Sequence, residues 1–166
     1  MNKAIILTFA TACSALLLAE PLSSQSIVVT PEVSQEAFVK KVSGDLNFQL
    51  GRAARWNEAN TNGITIVRFT RDAQGEADNV RIYRKSGKYG LDRTAMRAVK
   101  RLESLDRVPI GTSENQVYQA NIVFASNERN MARLTDKLAG EEAARLARGE
   151  DTHVFAFGSV AVPPSS

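Results

Sequence analysis

The stretch that most constrains the fold is residues 83–105, which read YRKSGKYGLDRTAMRAVKRLESL. It predicts the end of a strand, a turn at Ser86-Gly87 and a helix that begins at Leu91-Asp92. Apolar residues recur in this helix at spacings of three and four, as they do when one face of a helix lies on a sheet. They are Leu91, Ala95, Ala98, Val99, Leu102 and Leu105. Pro109 follows and cannot continue the helix.

Segments with the alternation of β-strands lie on both sides of this helix. Residues 64–71 and 79–85 alternate, and the Asp/Gly turn at residues 72–75 predicts that they form an antiparallel hairpin. After the helix, Val117–Phe124 places Tyr118, Ala120, Ile122 and Phe124 on one face. The sequence therefore predicts the α+β class, with a small three-stranded antiparallel sheet in the order strand-strand-helix-strand and a packing helix.

Two further helices are predicted to flank this unit. The N-terminal one carries apolar residues at every fourth position, Phe38, Val42, Leu46, Leu50 and Ala54, and we expect it to bend or break at Gly44 or Gly51. The C-terminal one covers residues 128–148, with Met131, Leu134 and Leu138 on one stripe and Gly149 at its end. Residues 154–162 are apolar enough for a last short strand.

The N-terminus has the pattern of a secretory signal peptide. Lys3 precedes sixteen residues without a charge, residues 4–19, which would span about 24 Å as a helix and so fall short of a hydrocarbon core of about 30 Å. Cleavage motifs are present at Leu17-Leu18-Ala19, Leu22-Ser23-Ser24 and Ser24-Gln25-Ser26. We expect a periplasmic protein. The alternative is an inner-membrane protein that is anchored by an uncleaved N-terminus.

The composition offers little for catalysis. Cys13 is the only cysteine, which excludes an intramolecular disulfide and a cysteine metal site. His153 is the only histidine and has no partner motif for nucleophilic catalysis. Residues 87–90 lack the spacing of a phosphate loop. We predict that the protein is not an enzyme and takes no metal or cofactor, and the net charge of +3 does not favour nucleic acid as a partner.

Residues 63–102 and the segment QVYQANIVFA resemble the C-terminal domain of the TonB family. The resemblance is carried by the turn and helix positions of that family's pattern: Asp72, Gly75, Val80, Ser86, Gly87, Leu91, Asp92, Ala95, Ala98 and Val99. Together with the patterns described above, it divides the chain into four parts: a signal peptide or uncleaved anchor at residues 1–26, an N-terminal extension at 27–62, the TonB-like domain at 63–126, and a C-terminal helix and tail at 127–166.

The resemblance implies that the last strand of the domain is a sheet edge. In TonB-like domains such an edge captures an extended peptide of an outer-membrane receptor, by strand addition. The edge here would be Val117–Phe124, and its contact residues would be Val117, Gln119, Asn121 and Val123. The implied partner is a protein or peptide of the cell envelope, such as a TonB-dependent receptor. Polar outward residues are equally typical of any half-buried strand.

The sequence also departs from the energy-transducing members of that family. They have a membrane-embedded histidine and a long proline-rich spacer, and neither is present here. Trp56 stands where many members have a Tyr-Pro pair before the first strand. These departures favour a periplasmic binding protein over one that transmits energy from the inner membrane.

A basic face supports a second hypothesis. Residues 63–101 contain ten Lys or Arg residues against four Asp or Glu residues. The face is represented by Arg84, Lys85, Lys88, Arg97 and Arg101, and it could attract peptidoglycan or anionic lipid, as in a structural envelope protein. A basic face can also serve solubility alone.

Overall fold

The computed structural model describes residues 33–53, 62–149 and 153–161, which all belong to one compact unit, Pro31–Ser166. The elements are α1 (Gln35–Ala53), β1 (Gly63–Arg71), β2 (Ala77–Arg84), α2 (Tyr89–Val99), β3 (Val117–Phe124), α3 (Glu128–Ala147) and β4 (Val154–Ala161). The predicted α+β class is confirmed. The predictions for residues 1–26, Ala54 and Trp56 lie outside the described residues. None of the described helices is long and apolar enough to cross a membrane.

The sheet has four strands in the order β2-β1-β3-β4, which corrects the prediction of a three-stranded antiparallel sheet. β1 is antiparallel to both β2 and β3, as predicted, but β4 is parallel to β3. The parallel pairing follows from the connection, since a strand that is joined to its neighbour through a crossover helix, here α3, enters the sheet in the same direction. The last strand predicted from residues 154–162 is thus confirmed as an element, and it adds to the outer side of β3.

One face of the sheet carries the main core. α1 and α2 cover this face, with α1 lying over β4 and α2 over β1 and β2. Alternate residues of the strands point into it, and they include Phe69, Tyr118, Ile122 and Phe157. The four apolar residues of α1 that recur at every fourth position are buried as predicted: Phe38, Val42, Leu46 and Leu50.

α1 runs without a break from Gln35 to Ala53, although the sequence suggested a bend or break at Gly44 or Gly51. Both glycines face open space, so no neighbouring group forces the helix to yield there. At its start, Ser34 accepts a hydrogen bond at its Oγ from the Ala37 N–H at 3.1 Å, which satisfies one of the free donors of the first turn.

The strand-turn-helix unit has its predicted order, with shifted helix bounds. α2 begins at Tyr89, two residues before the expected start, and ends at Val99. Leu102 and Leu105 lie beyond its end, yet both are buried, because the chain folds them back onto the core.

The opposite face of the sheet is covered by α3. The contacts of this helix are with β3 and β1. A small apolar cluster forms beneath it from Ile64, Ile66, Val123 and Leu134, with Leu138 packed against its side. Asn127 begins the helix by accepting a hydrogen bond from the Asn130 N–H at 2.9 Å. The two inner strands, β1 and β3, are therefore buried on both faces.

Candidate binding edge of the sheet

β3 is an inner strand, so the assignment of Val117–Phe124 as a sheet edge is wrong. β1 pairs with it on one side, and β4 pairs with it on the other along its whole length, from the pair Val117 and Val154 to the pair Phe124 and Ala161. β4 joins the sheet beside β3 for two reasons. Its Phe157 enters the same core as Tyr118, and its backbone supplies the hydrogen-bond partners that β3 would lack as an edge strand. Partner binding by β3 stays a prediction, and it would require β4 to leave.

The four residues predicted to contact a partner do not face solvent. Gln119 and Val123 are 0% and 1% exposed, Asn121 is 9% exposed, and Val117 is half-buried. The polar pair was expected to lie on a solvated face. The structure buries it under α3, where both side chains find hydrogen-bond partners within the protein.

Gln119 lies at the centre of a polar network between the sheet and α3. Arg68 donates a hydrogen bond from its Nε to Gln119 Oε1 at 2.9 Å. The Gln119 amide nitrogen donates to Asn121 Oδ1 at 3.0 Å and to Glu142 Oε2 at 3.1 Å. Arg145 donates to the same Glu142 oxygen at 3.0 Å from its Nη2. The carboxylate of Glu142 thus partly neutralises the buried guanidinium of Arg145, and the network fixes α3 on the sheet.

The two outer strands of the sheet differ in how well they are protected against pairing. β2 carries the charged residues Asp78, Arg81 and Arg84, and its pairing with β1 is interrupted by two register shifts. Asn79 adds a backbone φ of 50°, which is uncommon for a residue with a side chain. Charges and bulges are the usual means by which proteins prevent a strand from adding at an edge.

β4 has none of these protections. Its eight residues, VFAFGSVA, include no charged residue and no proline. Val160 is 37% exposed, and the alternate residues Ala156 and Gly158 are also exposed. Among the described strands, β4 is the outer strand on this side of the sheet. Within the described part of the chain, no strand pairs with its outer side.

A groove runs between the start of β4 and the first half of α1. Its volume is about 500 Å³. β4 lines it with Val154, Phe155 and Ala156, and α1 lines it with Gln35, Glu36, Val39 and Lys40. Side chains of a strand added beside β4 would find both apolar and charged surface there. Sequence reasoning missed this groove because it joins segments that are more than 100 residues apart.

The basic face predicted from the sequence is divided in the structure. Arg84 lies in part under α3, where its Nη2 is 3.1 Å from Glu141 Oε1. Lys85, Lys88, Arg97 and Arg101 are exposed, and they lie just before, on and just after α2. The division has a simple cause, because Arg84 is the last residue of β2 and the chain leaves the sheet directly after it.

Titratable groups with a shifted pKa do not form a catalytic set. Lys41 donates a hydrogen bond to Asp106 at 2.7 Å and holds the pKa of that exposed carboxyl below its usual value. Burial raises the pKa of Tyr118 above 10.0. The described part of the chain contains no group of three or more metal-binding side chains. His153 is exposed just before β4.

The family comparison covers the centre of this fold. Residues 53–125 match the model of the family described as Gram-negative bacterial TonB protein C-terminal. The match begins at the last residue of α1 and ends directly after β3, so it includes β1, β2, α2 and β3, and leaves out α3 and β4. Searches among curated proteins and among solved structures found no match.

Proposed function

Because residues 53–125 are a domain of the TonB C-terminal family, we propose that the protein is a periplasmic binding protein that captures an extended peptide by strand addition. The family is a non-catalytic protein-interaction family of the cell envelope, and its members interact with proteins such as TonB-dependent receptors. The proposed partner is accordingly an extended segment of an envelope or outer-membrane transport protein.

The observation that carries the proposal is the unprotected edge of β4. The backbone N–H of Ala125 donates to the Ala161 carbonyl at 3.1 Å, so Ala161 is turned toward β3. Backbone groups of successive strand residues point to alternate sides. We therefore infer that the N–H and C=O groups of Ala156, Gly158 and Val160 point away from β3, toward an incoming strand.

This placement moves the binding edge outward by one strand from the position predicted for Val117, Gln119, Asn121 and Val123. Addition to β4 leaves Phe157 in the core, whereas addition to β3 would require Phe157 to leave it. Full burial of such a side chain is worth about 1.5–3 kcal/mol. An added strand therefore gains backbone pairing at β4 without that cost.

The test uses a photocrosslinking amino acid at Lys40, an exposed residue that lines the groove. Ala156→Pro removes one outward N–H. The inferred pairing with β3 is kept, because an edge strand tolerates proline where the lost N–H would point away from the sheet. The crosslink to an envelope protein is expected to fall at least about tenfold in Ala156→Pro, the equivalent of about 1.4 kcal/mol. Ala156→Ser, which keeps the N–H, is expected to crosslink like the parent chain. An undiminished crosslink in a folded proline variant refutes strand addition at β4.

A second variant separates addition to β4 from replacement of β4. Val123 and Val160 are partners in the parallel register, so a Val123→Cys/Val160→Cys pair can tether the end of β4 to β3 in an oxidising compartment. The crosslink at Lys40 is expected to be the same before and after reduction. A crosslink that forms only after reduction means that the partner takes the place of β4, and so returns the site to Val117–Phe124.

A further inference from the structure

The outer surface of α2 carries a continuous stripe of cations. Arg93, Arg97 and Arg101 follow one another at intervals of four residues, and Lys100 lies beside them. At about 100° per residue, these four side chains lie within an arc of about 100° on the helix. Lys100 and Arg101 follow the helix end at Val99, in a turn that is closed by the Arg101 N–H on the Ala98 carbonyl. We call these four residues the α2 cation stripe.

Within residues 79–102, no exposed acidic side chain accompanies the α2 cation stripe. Asp92 is the only acidic residue among residues 79–102, and it is buried, where Thr65 and Ser86 donate hydrogen bonds to its carboxylate. None of the four cations forms an ion pair with another described residue. Lys100 and Arg101 share a surface groove with Glu76, Glu103 and Asp106 but pair with none of them, and all four cations are exposed.

An exposed aromatic ring stands at the start of the same surface. Tyr89 is 79% exposed and precedes Arg93 by four residues, so it continues the line of the stripe. Lys88 lies next to it. Tyrosine is favoured at the boundary between lipid headgroups and water, because its ring is apolar and its hydroxyl is polar.

We propose that α2 lies on an anionic lipid surface, with the stripe on the headgroup phosphates and Tyr89 at their level. Guanidinium groups bind phosphate oxygens in pairs, which suits a stripe in which three of the four cations are arginine. The stripe is on the convex outside of a helix. This shape fits a plane of phosphates better than a sugar polymer, for which a concave site with convergent polar groups is expected. The surface is separate from the β4 edge and does not depend on the proposed peptide binding.

The test is co-sedimentation of the full chain with vesicles of phosphatidylcholine, with and without phosphatidylglycerol. Residues 1–26 are the same in every variant, so on a given vesicle type any insertion by them adds equally to every variant. Binding is expected only, or much more strongly, with phosphatidylglycerol, and it is expected to weaken as salt shortens the Debye length from about 10 Å at 0.1 M. The variant Arg93→Glu/Arg97→Glu/Arg101→Glu is expected to lower the partition coefficient at least tenfold, since each cation near an anionic surface contributes about fivefold.

α3 offers a matched control. Arg129, Arg133 and Lys137 are exposed at the same spacing of four residues, but Glu128 and Asp136 accompany them. Reversing these three to Glu changes the net charge by the same amount and is expected to lower binding less than about threefold. Circular dichroism checks that both triple variants are folded. If both lower the partition coefficient equally, only net charge matters and the proposal is overturned. It is also overturned if the chain binds isolated peptidoglycan through α2 and does not bind the anionic vesicles.

Discussion

Asp92 joins the three parts of the strand-turn-helix unit. One carboxylate oxygen accepts hydrogen bonds from Thr65 Oγ1 at 2.9 Å, from the Ser86 N–H at 2.8 Å and from Ser86 Oγ at 2.8 Å. The sequence indicated only that a helix begins at Leu91-Asp92. The structure adds that this residue, 7% exposed, ties the turn after β2 to the inner strand β1.

We expect Asp92→Asn to lower the free energy of unfolding by about 1–3 kcal/mol. The amide group is neutral and weakens three hydrogen bonds that now end on a charged, buried acceptor. Urea denaturation followed by circular dichroism measures the change. Asp136→Asn is the matched control, because Asp136 is exposed on α3, and a change within about 0.5 kcal/mol is expected there. Equal stability of the two variants would show that the Asp92 hydrogen bonds contribute nothing.

α3 is the element whose position depends most on polar contacts. Only Leu134 and Arg145 of its 20 residues are buried, so its apolar contact with the sheet is small for its length. The network around Gln119 and Glu142 supplies the rest. A helix that is held in this way is expected to separate from the sheet when the charge balance of the network is disturbed.

Glu142→Gln tests this dependence. The substitution replaces the carboxylate that accepts from the buried Arg145 by a neutral amide, and we expect it to destabilise the attachment of α3 by about 1.5–3 kcal/mol. Amide hydrogen exchange should become faster along α3 and remain unchanged in α2. Glu128→Gln, at an exposed position of the same helix, should leave exchange unchanged. Uniform acceleration in both helices would instead mean that α3 unfolds only together with the domain.

The positions of α3 and β4 show where sequence reasoning reaches its limit. Periodicity predicted the type and bounds of both elements, and it predicted the inward face of β3 at Tyr118 and Ile122, because these depend on neighbouring residues. Which side of β3 receives a further strand depends on pairing between distant segments, and periodicity does not encode it. The alternation of β3 indicated a solvated face, but α3 covers that face, and its Glu142 accepts a hydrogen bond from Gln119, which in turn donates to Asn121.

The domain as a whole is joined by an aromatic cluster. Phe38 of α1, Phe69 of β1 and Phe155 of β4 all lie against Tyr118 of β3, with ring centroids 5.4 to 6.0 Å from the Tyr118 ring. Aromatic pairs at such distances contribute about 0.5–1.5 kcal/mol beyond their burial. One inner tyrosine therefore connects the helix, the family domain and the added strand, and we expect β4 to unfold together with the rest of the domain.

The same tyrosine makes the stability of the domain depend on pH in alkaline solution. Burial raises the pKa of Tyr118 above 10.0, so the folded chain holds this proton more tightly than the unfolded chain does. Below pH 10 both states are protonated and Tyr118 adds no pH dependence. As the pH rises from 10 toward the folded-state pKa, the unfolded state is favoured by up to about 1.4 kcal/mol per pH unit. Urea denaturation between pH 8 and about 11 is expected to show this loss, and Tyr118→Phe is expected to remove it.

Tyr83 and Tyr89 remain in both chains as exposed tyrosines, so the difference between the two curves isolates Tyr118. Parallel curves would mean that the folded state exposes Tyr118 at no cost, and that the cluster does not hold the four elements together.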